Sequence, residues 1–459
     1  MIDTMTSTPT AQAPAAGAAT RAARRKAVIE AMRAAGGGVA ILPTAPERMR
    51  NRDSDYPYRW DSYFHYLTGF PEPEAVLVIV ADGERDESIL FCREKNEERE
   101  IWDGFRYGPQ AAAAHFCFDR ALPIGSLDEE VPRLLANRGA LFHALGADET
   151  LDARVRLWLG EVRAQARAGI GSPTRAIDLL SVLDEMRLRK DELELDTMRR
   201  AARISAAAHR RAMRASAPGL LEYEIEAELL YEFRRQGSQA PAYGSIVAAG
   251  HNACVLHYRA NDALLRDGDL LLIDAGCELD GYASDITRSF PVNGRFSGAQ
   301  RALYDIVLAA QHAAIAATRP GARFDDPHDA ALAVLAQGMI DTGLLTGSRD
   351  GVIESGAYRR FYMHRTSHWL GMDVHDCGEY LEPGERHADG NRPSRILRPG
   401  MVLTIEPGIY VRAADDVPPA LRDIGIRIED DAVVDAQGCE IITADVPTDP
   451  DEIEALMRG

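Results

Sequence analysis

Five short segments in the second half of the chain concentrate residues that hold cations or move protons. Asp274 follows three leucines and an isoleucine in LLLIDAG, and Asp285 lies eleven residues on in ASDITRSF. A carboxylate at the end of an apolar strand must be paired or bound to a cation, because burying it bare costs several kcal/mol. Three histidines, His364, His368 and His375, fall within twelve residues in MHRTSHWLGMDVHD. Glu406 ends the apolar run LTIE just before Pro407-Gly408, and Arg427 and Glu429 alternate with Ile426 and Ile428 in IGIRIEDD. That alternation puts Arg427 and Glu429 on one face of a strand, where the arginine either pairs with the glutamate or orients it beside a cation. An Asp pair alone is also what turns and helix caps use, and a lone histidine is commonly a packed residue. The set of two Asp, two Glu and one His is more specific. Its four carboxylates need countercharge, and two divalent ions with a bridging hydroxide cancel most of it. Carboxylates with one imidazole suit hard, oxygen-preferring ions, and paired metals activate water for hydrolysis. The single-zinc motif HExxH is absent.

The elements that must position these residues are legible from periodicity. Arg21–Ala35 reads as a helix ended by Gly36-Gly37-Gly38, with VAILP as a strand behind it. Glycines ahead of a strand are in the wrong order for a dinucleotide fingerprint. AVLVIV and SILFC read as strands joined by the turn DGERDE, and Leu151–Arg167 as a helix, which together describe a mixed α/β domain. Asp191 with Glu194 forms a capping-box pattern opening a helix that Pro218-Gly219 stops. Leu221–Gln236 follows as a second helix, and beyond Ser238 strand-like runs alternate with turns and with helices near 297–318 and 326–343. The expected organisation is a disordered tail over 1–25, an N-terminal α/β domain over 26–170, a larger α+β catalytic domain over 175–446 and a C-terminal tail over 447–459.

Composition narrows the partners. The chain of 459 residues carries a formal net charge of −19, which disfavours phosphate backbones and anionic membranes. No apolar run approaches the roughly 20 residues of a bilayer span. The N-terminus lacks an apolar core behind a basic start and does not read as a secretory signal. The six cysteines, none in CxxC spacing, read as reduced thiols. The expected location is the cytoplasm.

The segments LIDAG, SDITRSFPVNG, SHWLGMDVHD, TIEPGIY and GIRIEDD resemble those of the pita-bread metallopeptidases, and within them the bacterial Xaa-Pro aminopeptidases (aminopeptidase P), over residues 35–458. The resemblance implies a C-terminal pita-bread domain behind a ribonuclease-H-like N-terminal domain. It implies two metal ions, usually manganese, held by Asp274, by Asp285 and Glu429 as bridges, and by His368 and Glu406. It further implies that His257 and His364 steady the scissile carbonyl oxygen and that His375 contacts substrate near the proline. His364, Tyr380 and Arg427 would line the proline pocket, and Glu406 would shuttle a proton. His257, His364, His375 and Glu406 are thus the expected catalytic set. The implied substrate is a peptide with proline in second position, and the implied assembly a homodimer or homotetramer, with Trp102 approaching a neighbouring subunit. The chain departs from the family pattern at Arg365-Thr366, where small residues are expected, and at Trp60-Asp61, where a polar pair is. Prolidases share the fold and all five ligands. Creatinase-type enzymes and binding modules of the same fold lack the ligands.

Overall fold

The computed structural model describes residues 15–388 and 390–459. The chain divides into two compact units, one ending at Asp184 and the other starting at Glu185. The first is built on a six-stranded mixed sheet in the order Arg120–Pro123, Glu87–Cys92, Val76–Ala81, Gly38–Pro43, Ala140–His143, Arg175–Asp178. Gly38–Pro43 runs antiparallel to Val76–Ala81 and parallel to Ala140–His143. Alternate residues Val39, Ile41, Val78, Val80, Ile89 and Phe91 bury one face against Val155, Trp158 and Val162 of the helix Glu149–Ala164. The triple glycine has a geometric cause. Gly36 and Gly37 take positive φ (96° and 73°), and a Cβ on Gly38 would lie 2.2 Å from the Ala140 carbonyl oxygen of the adjoining strand. These glycines end a helix and admit a strand; they cradle no phosphate.

Three expected boundaries differ. The expected tail ends at residue 25, but the helix read from Arg21 in fact starts at Ala18 and runs to Ala34. Arg24 and Arg25 are buried there, and Arg25 donates to the carbonyls of Leu67 (2.8 Å) and Phe116 (3.2 Å). The expectation for residues 1–14 lies outside the described residues. The N-terminal domain does not end at 170, because Arg175–Asp178 adds its sixth strand, parallel to Ala140–His143. The residues set aside as a C-terminal tail include the helix Pro450–Arg458, capped by Asp449 and packed into the core through Ile453.

The second unit opens with the helix Glu192–Ala215, whose capping box joins Asp191 and Glu194 as the sequence predicts, followed by Glu222–Arg235. Small antiparallel sheets then carry the chemistry-bearing segments. Leu270–Asp274 lies between Ile246–Ala249 and Thr287–Pro291. Val402–Ile405 pairs with Asp430–Val434, and Gly408–Val411 with Ile424–Arg427. Single bridges, Thr287 to Glu429 and Trp369 to Leu403, stitch these sheets together. The helices Gly298–Ala317 and Asp326–Asp341 cover them, burying Leu303, Val307, Leu335 and Met339.

One buried ion cluster fixes the segment that carries His375. Asp376 accepts from Arg187 Nη2 (2.6 Å) and Lys190 Nζ (2.9 Å), and all three side chains are 1 % exposed. Burial pushes the Asp376 carboxyl up, but the charges of Lys190 and Arg187 more than offset it, so the net shift is downward. Replacing Asp376 removes the carboxylate that both buried cations share, and only Arg187 keeps a second one, at Asp373 (2.8 Å). Asp376→Asn is therefore expected to destabilise the unit by about 3–5 kcal/mol at pH 7. A depressed folded-state pKa contributes stability above the unfolded value of about 3.9, lost as pH falls through the folded value. Denaturant titrations of both proteins should accordingly show the difference at pH 7 and its narrowing as pH falls below 4. An equal gap at pH 7 and at pH 3 would contradict it.

Candidate metal centre

The five expected ligands converge in one place. Asp274 is the last residue of an otherwise apolar buried strand, and Asp285 sits two residues before the strand Thr287–Pro291 that pairs with it. The turn between them is tight at Gly276, where a Cβ would lie 1.7 Å from the Ser284 carbonyl oxygen, which accounts for the glycine of IDAG. Glu406 follows the strand Val402–Ile405, and Glu429 bridges to Thr287. One oxygen or nitrogen each from Asp285, His368 and Glu429 falls within 4.8 Å of the others, a spacing that a cation can span. His368 donates Nδ1–H to the Trp369 carbonyl (2.9 Å), which turns its Nε2 lone pair toward Asp285 Oδ2 (3.6 Å) and Glu406 Oε1 (3.7 Å). A backbone acceptor fixing the tautomer of a histidine is what a metal ligand needs.

The electrostatics also fit bound cations. Burial pushes the Glu406 carboxyl up to about 7, and Asp285 and Asp274 add to the rise. Burial likewise raises Glu429 and Asp285, with neighbouring carboxylates reinforcing it. Ionised together, these groups lack countercharge. Arg427 supplies one positive charge, through Nη2 to Asp274 Oδ2 (2.5 Å). Tyr243 places its hydroxyl 2.7 Å from Asp274 Oδ1 and 2.5 Å from Asp285 Oδ1. It has one proton to share between two anions. Divalent cations among these oxygens would meet the remaining need.

The substrate-side residues line the same cavity, of about 850 Å³. His257 is exposed there and has no hydrogen-bond partner among the described residues. His364 is held on both sides: Nδ1 donates to the Arg365 carbonyl (2.7 Å), and Nε2 accepts from Tyr410 (2.8 Å). Burial, then the Arg427 charge, holds its imidazole down to about 3, so the ring is neutral. His375 stacks on His368 with centroids 4.1 Å apart. Tyr380 packs edge-on to Phe324 (4.9 Å) and parallel to Trp369 (5.7 Å). Arg427 lines the cavity, yet its guanidinium is committed to Asp274, Thr287 and Tyr410 and is buried. Arg365 pairs with Asp325 at the rim. In the first unit, Asp61 caps the helix Ser62–Thr68 and Trp60 stacks on His65, so both are used locally. Tyr243, Thr287 and Tyr410 were not foreseen. The one available signal was a tyrosine in the turn PAYGS just before a buried strand.

The comparisons agree with this geometry. The profile of metallopeptidase family M24 matches residues 196–436, and that of the aminopeptidase P N-terminal domain matches 21–142. The chain belongs to metallopeptidase family M24, and its second unit has the pita-bread fold. It is 45 % identical to the Xaa-Pro aminopeptidase of Escherichia coli over 435 residues, covering 95 % of this chain and 96 % of that one. It is 42 % identical to the Xaa-Pro aminopeptidase of Haemophilus influenzae, over 91 % and 93 %. Among solved structures, the Pseudomonas aeruginosa aminopeptidase PepP superposes with a TM-score of 0.92 at 49 % identity, covering 98 % of this chain and 99 % of that one. A zinc-substituted Escherichia coli aminopeptidase P in complex with product gives 0.91 at 43 %, covering 96 % and 98 %.

Metal removal gives a direct check. A cation that binds only the folded chain at 1,000 times its Kd adds about 4 kcal/mol of stability. Chelation is expected to lower Tm and divalent cation to restore it. In Asp285→Asn, elemental analysis should find the metal lost and calorimetry should find the Tm increment gone. Full metal content in Asp285→Asn would remove Asp285 from the ligand set.

Proposed function

We propose that the protein is a Xaa-Pro aminopeptidase, a hydrolase that releases the N-terminal residue of peptides whose second residue is proline. The observation that carries this reading is the convergence of all five ligand residues on one cavity in a chain 45 % identical to an Xaa-Pro aminopeptidase over nearly its whole length. Asp274, Asp285, His368, Glu406 and Glu429 would hold two divalent ions, and four carboxylates with one imidazole suit manganese. When bound, such ions supply activation of a water and polarisation of a carbonyl.

The chain's own residues supply the rest. Glu406, with its carboxyl raised toward neutrality, accepts a proton from the attacking water at Oε2 and returns it to the departing proline nitrogen. His257, with free ring nitrogens, donates to the carbonyl oxygen as charge develops on it. His364 joins it once its single proton moves from Nδ1 to Nε2, so that Nε2 donates to that oxygen instead of accepting from Tyr410. Arg427 holds Asp274 in place. A prolyl bond has no N–H, so its recognition rests on shape. The faces of Tyr380 and His375, backed by Phe324 and Trp369, offer flat surfaces for the ring. Arg427 completes the floor of that pocket.

Dipeptide-only cleavage, as in prolidase, is the rival reading. A cavity of about 850 Å³ is large for a dipeptide, and it favours longer peptides. An assembly of two or four copies is supported by Ile101, Trp102 and Phe105, which are 82 %, 83 % and 58 % exposed, an arrangement that marks an interaction surface. A cytoplasmic location is supported by six unpaired cysteines. Among the described residues no helix is long and apolar enough to cross a membrane.

Matched peptides test the specificity. kcat/KM on Arg-Pro-Pro should exceed that on Arg-Ala-Pro by roughly 10–200-fold, the discrimination available to a shape-fitting pocket. Equal values would remove the proline pocket, and cleavage of Arg-Pro alone would make the protein a prolidase. Light scattering at micromolar concentration should give a mass of two or four chains, and a mass of one chain would refute the assembly.

A further inference from the structure

His257 presents a structural problem. It stands in a fourteen-residue segment, 250–263, whose only regular element is the short turn of helix Gly250–Cys254. No sheet partner holds its backbone, and its side chain is exposed. A group that must meet a carbonyl oxygen to within a fraction of an ångström needs support from elsewhere.

That support is Glu222, the first residue of the helix Glu222–Arg235. Its side chain is fully buried, a rare placement for a carboxylate, and it touches none of the residues of the metal cluster. Oε1 accepts from the Ala249 N–H (2.7 Å) and from Asn252 Nδ2 (3.2 Å). Oε2 accepts from the Tyr258 hydroxyl (2.8 Å) and from the Ala263 N–H (2.9 Å). One carboxylate therefore grips the segment before its start, within it, next to His257 and at its end. The helix N-terminus at which it sits favours its negative charge. Asn261 adds a second clasp: Oδ1 accepts from the Val247 N–H (3.1 Å) and Nδ2 donates to the Ser245 carbonyl (2.9 Å). Asn261 takes φ 48°, a conformation that asparagine tolerates better than most residues. Burial and then the Glu222 carboxylate push the Tyr258 hydroxyl up to about 12, so it remains a donor throughout the neutral range.

We infer that Glu222, acting through Tyr258, is a positioning residue for the reaction: it fixes the 250–263 segment so that His257 meets the substrate carbonyl. The inference rests on the role proposed for His257. The carboxylate takes no part in bond making. It acts as a rigid four-point acceptor, and the last link to His257 is one tyrosine hydroxyl.

Tyr258→Phe removes that link and keeps the ring. The experiment measures metal content, Tm and steady-state kinetics on Arg-Pro-Pro for the wild type, Tyr258→Phe, His257→Ala and the double variant. Tyr258→Phe is expected to retain the wild-type metal content, to lower kcat by roughly tenfold, within the 100-fold that a misplacement of about 1 Å can cost, and to change KM less than twofold. In the His257→Ala background it should lower kcat less than twofold, because the group it positions is already gone. Glu222→Gln, which turns one acceptor oxygen into a donor, should lower kcat further than Tyr258→Phe and be equally silent without His257. An unchanged kcat in Tyr258→Phe would overturn the inference. So would an equal loss with and without His257, or a loss of metal. If His257→Ala alone keeps wild-type kcat, the role of His257 falls first and the positioning role with it. A silent Tyr258→Phe beside an impaired His257→Ala overturns only the positioning role.

Discussion

The constraint on which the second unit depends is the convergence of four carboxylates in a buried space. Asp274, Asp285 and Glu429 are 9 %, 4 % and 2 % exposed, so water screens them poorly and each raises the cost of ionising the others. Folding brings them together only because the chain around them is arranged to tolerate it. Each sits at or beside the end of an apolar strand, so the burial of Leu271, Ile273, Leu403, Ile405 and Ile426 carries the acids in with it. The surrounding donors then orient the oxygens: Arg427 on Asp274, Tyr243 between the two aspartates, and Thr287 on Glu429 (2.5 Å). These donors leave most of the charge uncompensated, and a chain of family M24 meets the remainder with divalent ions.

How much of this was legible follows from the range of each interaction. Strand-terminal carboxylates are visible locally, because an ionisable residue ending an apolar run conflicts with its neighbours in sequence. The capping box at Asp191 and Glu194 is equally local and was read correctly. The donors around the acids are not local. Thr287 meets Glu429 across 142 positions and Arg427 meets Asp274 across 153, and nothing in a run of residues marks such a pair. The same reason hid the strand Arg175–Asp178. Its side chains are mostly exposed, so no alternation shows, and only its pairing with Ala140–His143 makes it a strand.

The helices at the two chain ends show a different failure. The tail boundary at residue 25 rests on an Ala/Thr/Pro-rich composition and cuts into the helix read from Arg21. Yet Arg24 and Arg25 are buried, their guanidiniums donating to the carbonyls of Tyr66 and Leu67. An arginine can serve as a buried anchor where carbonyls left at a helix end need donors, and composition cannot reveal that. At the other end, Ile453, Leu456 and Met457 form a stripe at helical spacing. It is only two turns long, too short to separate from a loop by periodicity alone.

The two histidines of the SHWLG region show how the same constraint assigns different chemistry to neighbouring positions. His364 and His368 lie one helical turn apart in number, but no helix joins them. Burial lowers both imidazoles. At His368 the carboxylates of Asp285 and Glu406 outweigh burial and push it up to about 9. At His364 the dominant neighbour is the Arg427 guanidinium, and burial and charge act together to hold it near 3. The difference follows from where Arg427 points. It lies 3.0 Å from the Tyr410 hydroxyl, which in turn meets His364, and it reaches Asp274 through its other nitrogen. One arginine thus steadies a carboxylate of the cluster and keeps the adjoining imidazole neutral. A cation bound at His368 would need its lone pair free of a proton, while the lone pair of His364 is engaged by Tyr410. Proximity to the acids therefore suits His368 to hold a cation, and proximity to the arginine leaves His364 neutral, with its Nε2 lone pair turned to Tyr410. This division matches the pattern in which catalytic roles follow from environments that drive neighbouring pKa values apart.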